Sequence, residues 1–143
     1  MPVGTDLLKR LAAAPGLYRG RGDGLESGPF VARIAVASAV RGRAVTLDYE
    51  AVSDTRGVQH VEHSVLTAGE GGRLELHVSC AELPGVVRFV ETKAGEFSAY
   101  DGPLPARIVV TVPRDGVLTY GWWWARGESD PREQSRAEVR RTG

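Results

Sequence analysis

Residues 115–126 read Asp-Gly-Val-Leu-Thr-Tyr-Gly-Trp-Trp-Trp-Ala-Arg. The Asp-Gly pair is a turn signal, and a run of strand-forming residues follows it. Side chains alternate between the two faces of a strand. Leu118, Tyr120, Trp122 and Trp124 therefore share one face, while Val117, Thr119 and Trp123 take the other. All three tryptophans of the chain stand here, side by side. One face is a broad aromatic wall and the opposite face still carries an indole, a pattern suited to a small barrel with a lined interior.

Working outward, residues 106–112 and 133–140 flank this strand as further strand segments. In the last of these, Ser135, Ala137 and Val139 form the apolar face, and Arg136, Glu138 and Arg140 the solvated one. Further upstream the alternation repeats. Residues 30–40 place Phe30, Ala32, Ile34, Val36 and Val40 together, and residues 44–52 set Val45, Leu47, Tyr49 and Ala51 against Thr46, Asp48 and Glu50. Residues 58–67 put Val61, His63 and Val65 on the expected inner face, with His60, Glu62 and Ser64 outward. Residues 73–80 put Leu74, Leu76, Val78 and Cys80 inward, and shorter strands are expected at 86–92 and 96–100. The opening strand, 17–24, is glycine-rich, and its glycines are expected to let it bend at a barrel corner. One helix is expected, over 5–14: Thr5 or Asp6 caps it, Leu7, Leu8, Leu11 and Ala12 make its apolar stripe, and Pro15-Gly16 stops it. Such a helix would plug one end of the barrel.

Turn signals recur at about the 8–12-residue spacing of all-β folds, and nothing helical lies between strands to cross over a parallel sheet. The expected architecture is all-β: a roughly ten-stranded antiparallel up-and-down barrel, lipocalin- or calycin-like, forming one domain over residues 1–143 with a short N-terminal helix. Closure removes exposed sheet edges, and barrels of this size enclose ligand cavities.

Eighteen basic residues balance eighteen acidic ones, which supplies no net field for nucleic acid or an anionic membrane. Lys9 and Lys93 are the only lysines, so arginine supplies the other sixteen basic residues, a bias of genome composition more than of a phosphate site. Cys80 is the sole cysteine, which excludes an intrachain disulfide and a thiolate metal cluster. No secretory pattern and no membrane-length apolar run is read from the chain, and a cytoplasmic protein is expected.

Gly16-Leu17-Tyr18-Arg19-Gly20-Arg21-Gly22, Thr46–Glu50 with Gly57–Glu62, and Gly116–Tyr120 with Ser135–Arg140 together resemble the nitrobindin-like haem-binding β-barrels, relatives by shape of fatty-acid-binding proteins. The resemblance implies the barrel. Haem-binding members use a histidine near the C-terminus as axial ligand, and this chain has no histidine after His77. Haem requires an axial ligand, so no cofactor is expected, and no metal site.

The candidate residues follow from these patterns. Tyr49, His63, Tyr120, Trp122 and Trp124 are expected to line a cavity that takes a small hydrophobic or aromatic molecule non-covalently: indoles supply apolar area, tyrosines and histidine orient polar groups. His60, Glu62 and His63 are the densest cluster able to do acid–base chemistry, which makes a barrel enzyme (an isomerase, cyclase or hydrolase) the second reading. In a regular strand His60 and His63 face opposite ways, so they form no two-histidine metal site; a bulge would change that. A homodimer through an outward Trp123, with no small ligand, is the third reading.

Overall fold

The computed structural model describes residues 5–99, 105–112, 116–125 and 130–142. The proline-containing stretch 101–105 and the stretch 127–132, which the sequence marks as loops, and the Pro-to-Gly turn signal at 113–116 fall mainly outside these residues, as does the end of the tryptophan stretch at Arg126.

Among the described residues one short α-helix forms, α1 (Thr5–Ala13); Pro15 and Gly16, the latter at φ 142°, end it one residue earlier than expected, with the Ala14 amide closing its last turn on the Leu11 carbonyl at 3.1 Å. Nine residues are too few for a stable isolated helix. Burial holds it instead: Leu8 and Leu11 are buried in the core and Leu7 and Ala12 pack against it.

Ten strands follow among the described residues. They are β1 (Gly16–Gly24), β2 (Gly28–Ala39), β3 (Ala44–Ser53), β4 (Gly57–Ala68), β5 (Leu74–Cys80), β6 (Val87–Lys93), β7 (Glu96–Ala99), β8 (Ala106–Thr111), β9 (Val117–Trp124) and β10 (Arg132–Arg141). Each pairs antiparallel with its chain neighbour, and β1 pairs with β10 from Tyr18↔Arg141 to Gly24↔Ser135, closing the barrel. This is the expected up-and-down architecture. The second strand stops earlier than expected: Val40 leaves the sheet at φ 50° and heads a single 3-10 turn, with its side chain exposed.

The glycines of β1 do more than bend it. A Cβ on Gly22 would lie 2.2 Å from Phe30 Cζ and 2.5 Å from the Arg136 carbonyl, and one on Gly20 would strike the β10 backbone. Their bare backbones let β10 close against β1 and let the Phe30 ring lie across the inner surface.

The interior has two halves. Toward the helix, Val36, Val45, Leu66, Leu74, Val110, Leu118 and Val139 fill it with aliphatic side chains. Toward the other end, where β3 ends and β4 begins, Phe30, Tyr49 and Trp122 take over, and space opens.

The inner face of β4 differs from the expected one. Glu62, Ser64 and Leu66 are buried, whereas Val61 and His63 are exposed. A one-residue bulge is the cause. Next to the turn the pairs are Ser53↔Gly57 and Val52↔Val58, but the next pair is Ala51↔His60, which leaves Gln59 as an extra residue. Were Gln59 paired with Ala51 instead, the register would continue to Tyr49↔Val61 and Leu47↔His63, the arrangement read from hydrophobicity. With Gln59 as the extra residue, Tyr49 faces Glu62 and Leu47 faces Ser64. Directly opposed residues share a face, and a one-residue slip exchanges every side chain.

Candidate functional site

The bulge brings His60 and Glu62 inside, and the site grows from that pair. Glu62, at 2% exposure, accepts four hydrogen bonds. Trp122 Nε1 donates to Oε1 at 2.9 Å and His60 Nε2 stands 2.9 Å from the same oxygen. Ser64 Oγ donates to Oε2 at 2.5 Å and the Tyr120 hydroxyl donates to it as well. A carboxylate has about four lone-pair directions, and all are taken. The buried acid is thereby compensated, as a group removed from water must be. No buried side-chain nitrogen or oxygen among the described residues lacks a partner.

His60 carries the network outward. Its ring stands edge-on to Tyr49 and Trp122, with centroids 5.2 and 5.5 Å away. Its second nitrogen, Nδ1, lies 2.9 Å from Glu82 Oε2. Burial disfavours the charged ring, but hydrogen bonds and charge from Glu62 and Glu82 outweigh it and push the pKa up to about 9. At neutral pH His60 is therefore an imidazolium, donating to a carboxylate from each nitrogen. Burial, and then the Glu62 charge, push the Tyr49 and Tyr120 hydroxyls well up, so both stay neutral donors.

Above this floor lies a cavity of about 320 Å³ at the end away from the helix. Phe30, Tyr49, Trp122 and Trp124 make its aromatic walls, and His60, Glu82, Gln134 and Ser135 are among its polar lining residues. Phe89 backs the Trp122 indole at 5.7 Å, and Trp124 meets it at 6.4 Å. Ser135 reaches the cavity through a second irregularity, between Glu133 and Ser135 in β10.

Of the residues expected from sequence, Tyr49, Trp122 and Trp124 line the cavity. Tyr120 lies fully buried beside Glu62 and does not line it. His63 stands on the outside, its Nδ1 2.6 Å from Asp48, because the bulge turned it out. His60 and Glu62, expected outward, are paired with each other inside the barrel, apart from His63. Cys80, expected to point inward, is half-buried at the cavity edge, and burial first of all pushes its thiol pKa up to about 11. Trp123 points outward, half-buried, with the Arg107 guanidinium 5.9 Å from its ring centroid. Arg136, Glu138 and Arg140 are exposed, as their alternation implied.

Two groups went unnoticed in the sequence. Phe30 was placed inward but not in the site; its strand position and the facing glycines could have put it there. Glu82 sits in the irregular segment between β5 and β6, where no periodicity orients a side chain.

No family model matches the chain and no curated protein matches it. Among solved structures, the crystal structure of Rv2717c from M. tuberculosis matches with a TM-score of 0.65 at 15% identity, over 100% of this chain and 99% of that one. At that identity the likeness is one of fold, and the closed antiparallel barrel fits the calycin-like class.

Proposed function

We propose that this barrel binds a small hydrophobic or aromatic molecule non-covalently in the cavity at its open end. The observation that carries the reading is the contrast between a rigid, fully hydrogen-bonded floor and an accessible space walled by four aromatic rings. Its volume falls at the lower end of the range for small-ligand pockets, which is about 300–1,000 Å³. The floor holds Trp122 and His60 in fixed orientations, so little side-chain entropy remains to be lost on binding.

The nitrobindin-like resemblance offers haem as a rival occupant, and the donor chemistry argues against it. Iron takes a neutral imidazole, a thiolate or a phenolate. Both His60 nitrogens are committed to carboxylates, Cys80 is held as a thiol, and Tyr49 is held as a phenol. The acid–base enzyme reading meets a related obstacle. Glu62 has no spare lone pair and His60 no free nitrogen. The interaction-module reading rests on Trp123, whose ring is half-buried and covered in part by Arg107.

Native mass spectrometry of the protein from its expression host, with indole titrated against tryptophan fluorescence, tests the proposal. A small-molecule adduct or saturable quenching, lost in Trp124→Ala, is expected. A clean monomer that indole does not quench, or a haem absorption band, overturns it.

A further inference from the structure

The polar end of the ligand is legible in the way His60 is used. Its two nitrogens meet two carboxylates of different kinds. Glu62 is buried, saturated with donors and built into β4. Glu82 belongs to the connection between β5 and β6, its side chain is 48% exposed, and it lines the cavity itself. A carboxylate on Nδ1 is thus sterically and electrostatically accommodated at the inner edge of the cavity, and the one now there already stands half in water.

Resting on the ligand-binding reading above, we propose that the ligand is an aromatic carboxylic acid whose carboxylate takes the place of Glu82 on Nδ1 of His60, with its ring against Trp122 and Trp124. Glu82 then acts as an internal stand-in: it keeps the imidazolium paired in the empty barrel and yields to the ligand. The competing possibility is a cation, since Glu26 and Glu82 both line the mouth. Donor accounting decides against it. A cation would have to take Glu82 from His60, leaving a charged N–H of a largely buried ring without an acceptor, and Glu62 has no lone pair to offer in exchange. An incoming carboxylate exchanges one acceptor for another and leaves every buried donor satisfied, and charge-assisted bonds of this kind are the strong ones. The bare anion gains at a site where water would otherwise compete, and the aromatic walls supply the remaining affinity.

The experiment compares three indole probes of similar size, indole-3-acetate, its isostere indole-3-acetamide, and the cation tryptamine, on the full chain and on Glu82→Gln, by calorimetry at neutral pH. An internal competitor that occupies the donor about nine-tenths of the time weakens apparent affinity about tenfold. Glu82→Gln is therefore expected to bind indole-3-acetate about tenfold more tightly, with the acetamide changed less than twofold. The ring nitrogen resonances of His60 should shift on adding the acetate and should move little on adding the acetamide. If the acetamide binds and the acetate does not, in either protein, the acid end is wrong while the cavity reading stands. If tryptamine binds best and Glu82→Gln weakens it, the ligand is a cation and the proposal is overturned. If none of the three binds either protein, the proposal and the cavity reading fall together.

Discussion

Raising the pH from 6.5 to 8.5 should destabilise this protein steeply, and His60 is the reason. Its pKa is about 9 in the fold, against about 6.5 in an unfolded chain. A group whose folded pKa is raised contributes its full stabilisation below the unfolded value, and that stabilisation is lost as the pH climbs through the folded one. Between the two values the folded protein holds one more proton than the unfolded chain, so stability falls by about 1.4 kcal/mol per pH unit. Over the two units the loss is about 2–3 kcal/mol, a large share of the roughly 5–15 kcal/mol that stabilises a typical domain. The ring is 16% exposed, so solvent screening removes little of this. The window also excludes the other perturbed groups: Cys80 and the two tyrosines act at higher pH, and Glu82, held below its usual range, acts in acid. Urea unfolding followed by tryptophan fluorescence at half-unit steps measures the slope. Glu62→Gln is the control. Its side-chain oxygen can still accept from Trp122, and the Tyr120 and Ser64 hydroxyls can turn to accept from its amide, but the anion is gone. That variant should be less stable by about 2–4 kcal/mol at pH 6.5 and nearly flat across the window. A flat wild type, or a Glu62→Gln slope equal to the wild type's, would refute the assignment of the charge to this network.

Four further substitutions separate the parts of the barrel. Trp122→Ala should cost about 3–5 kcal/mol of stability, because it opens the core and removes a donor from Glu62; thermal unfolding reads it. Trp124→Ala should cost only about 1 kcal/mol while lowering affinity for an aromatic ligand about tenfold, so that titration and unfolding disagree. Gly22→Ala should destabilise by about 1–3 kcal/mol through the clash with Phe30, and a denaturation midpoint unchanged from wild type would contradict the contact. Leu11→Ala, at the helix end, should cost about 2–5 kcal/mol and leave ligand affinity untouched, since it removes packing far from the cavity.

Most of the barrel could be read from period-two alternation because most inner residues are apolar. Phe30 to Val36 in β2, Val45 to Ala51 in β3, and Leu74 to Val78 in β5 all point where their hydrophobicity sends them. The aromatic wall of β9 was legible for the same reason. The site itself defeated that logic twice. In β4 the inner residues are His60, Glu62 and Ser64, and the outer ones include two valines, so a hydrophobicity rule selects the wrong face. What reverses it is Gln59, an ordinary polar residue with none of the glycine or proline punctuation that marks an irregularity. In the segment that holds Glu82 no repeating pattern exists at all, and only the tertiary structure says which way a carboxylate turns.

The extra residue at Gln59 also has a meaning in genetic terms. Deleting that one codon would remove the bulge yet keep Ala51 opposite His60 and Tyr49 opposite Glu62, so the charged lumen would survive. What would empty it is a slip that pairs Gln59 with Ala51, because every later residue of β4 would then change faces, sending Glu62 to the solvent and bringing Val61, His63 and Val65 indoors. In a lineage of such barrels the hairpin can therefore gain or lose this residue while the receptor group persists, and an alignment gap at Gln59 marks a change of hairpin length, not of lumen chemistry.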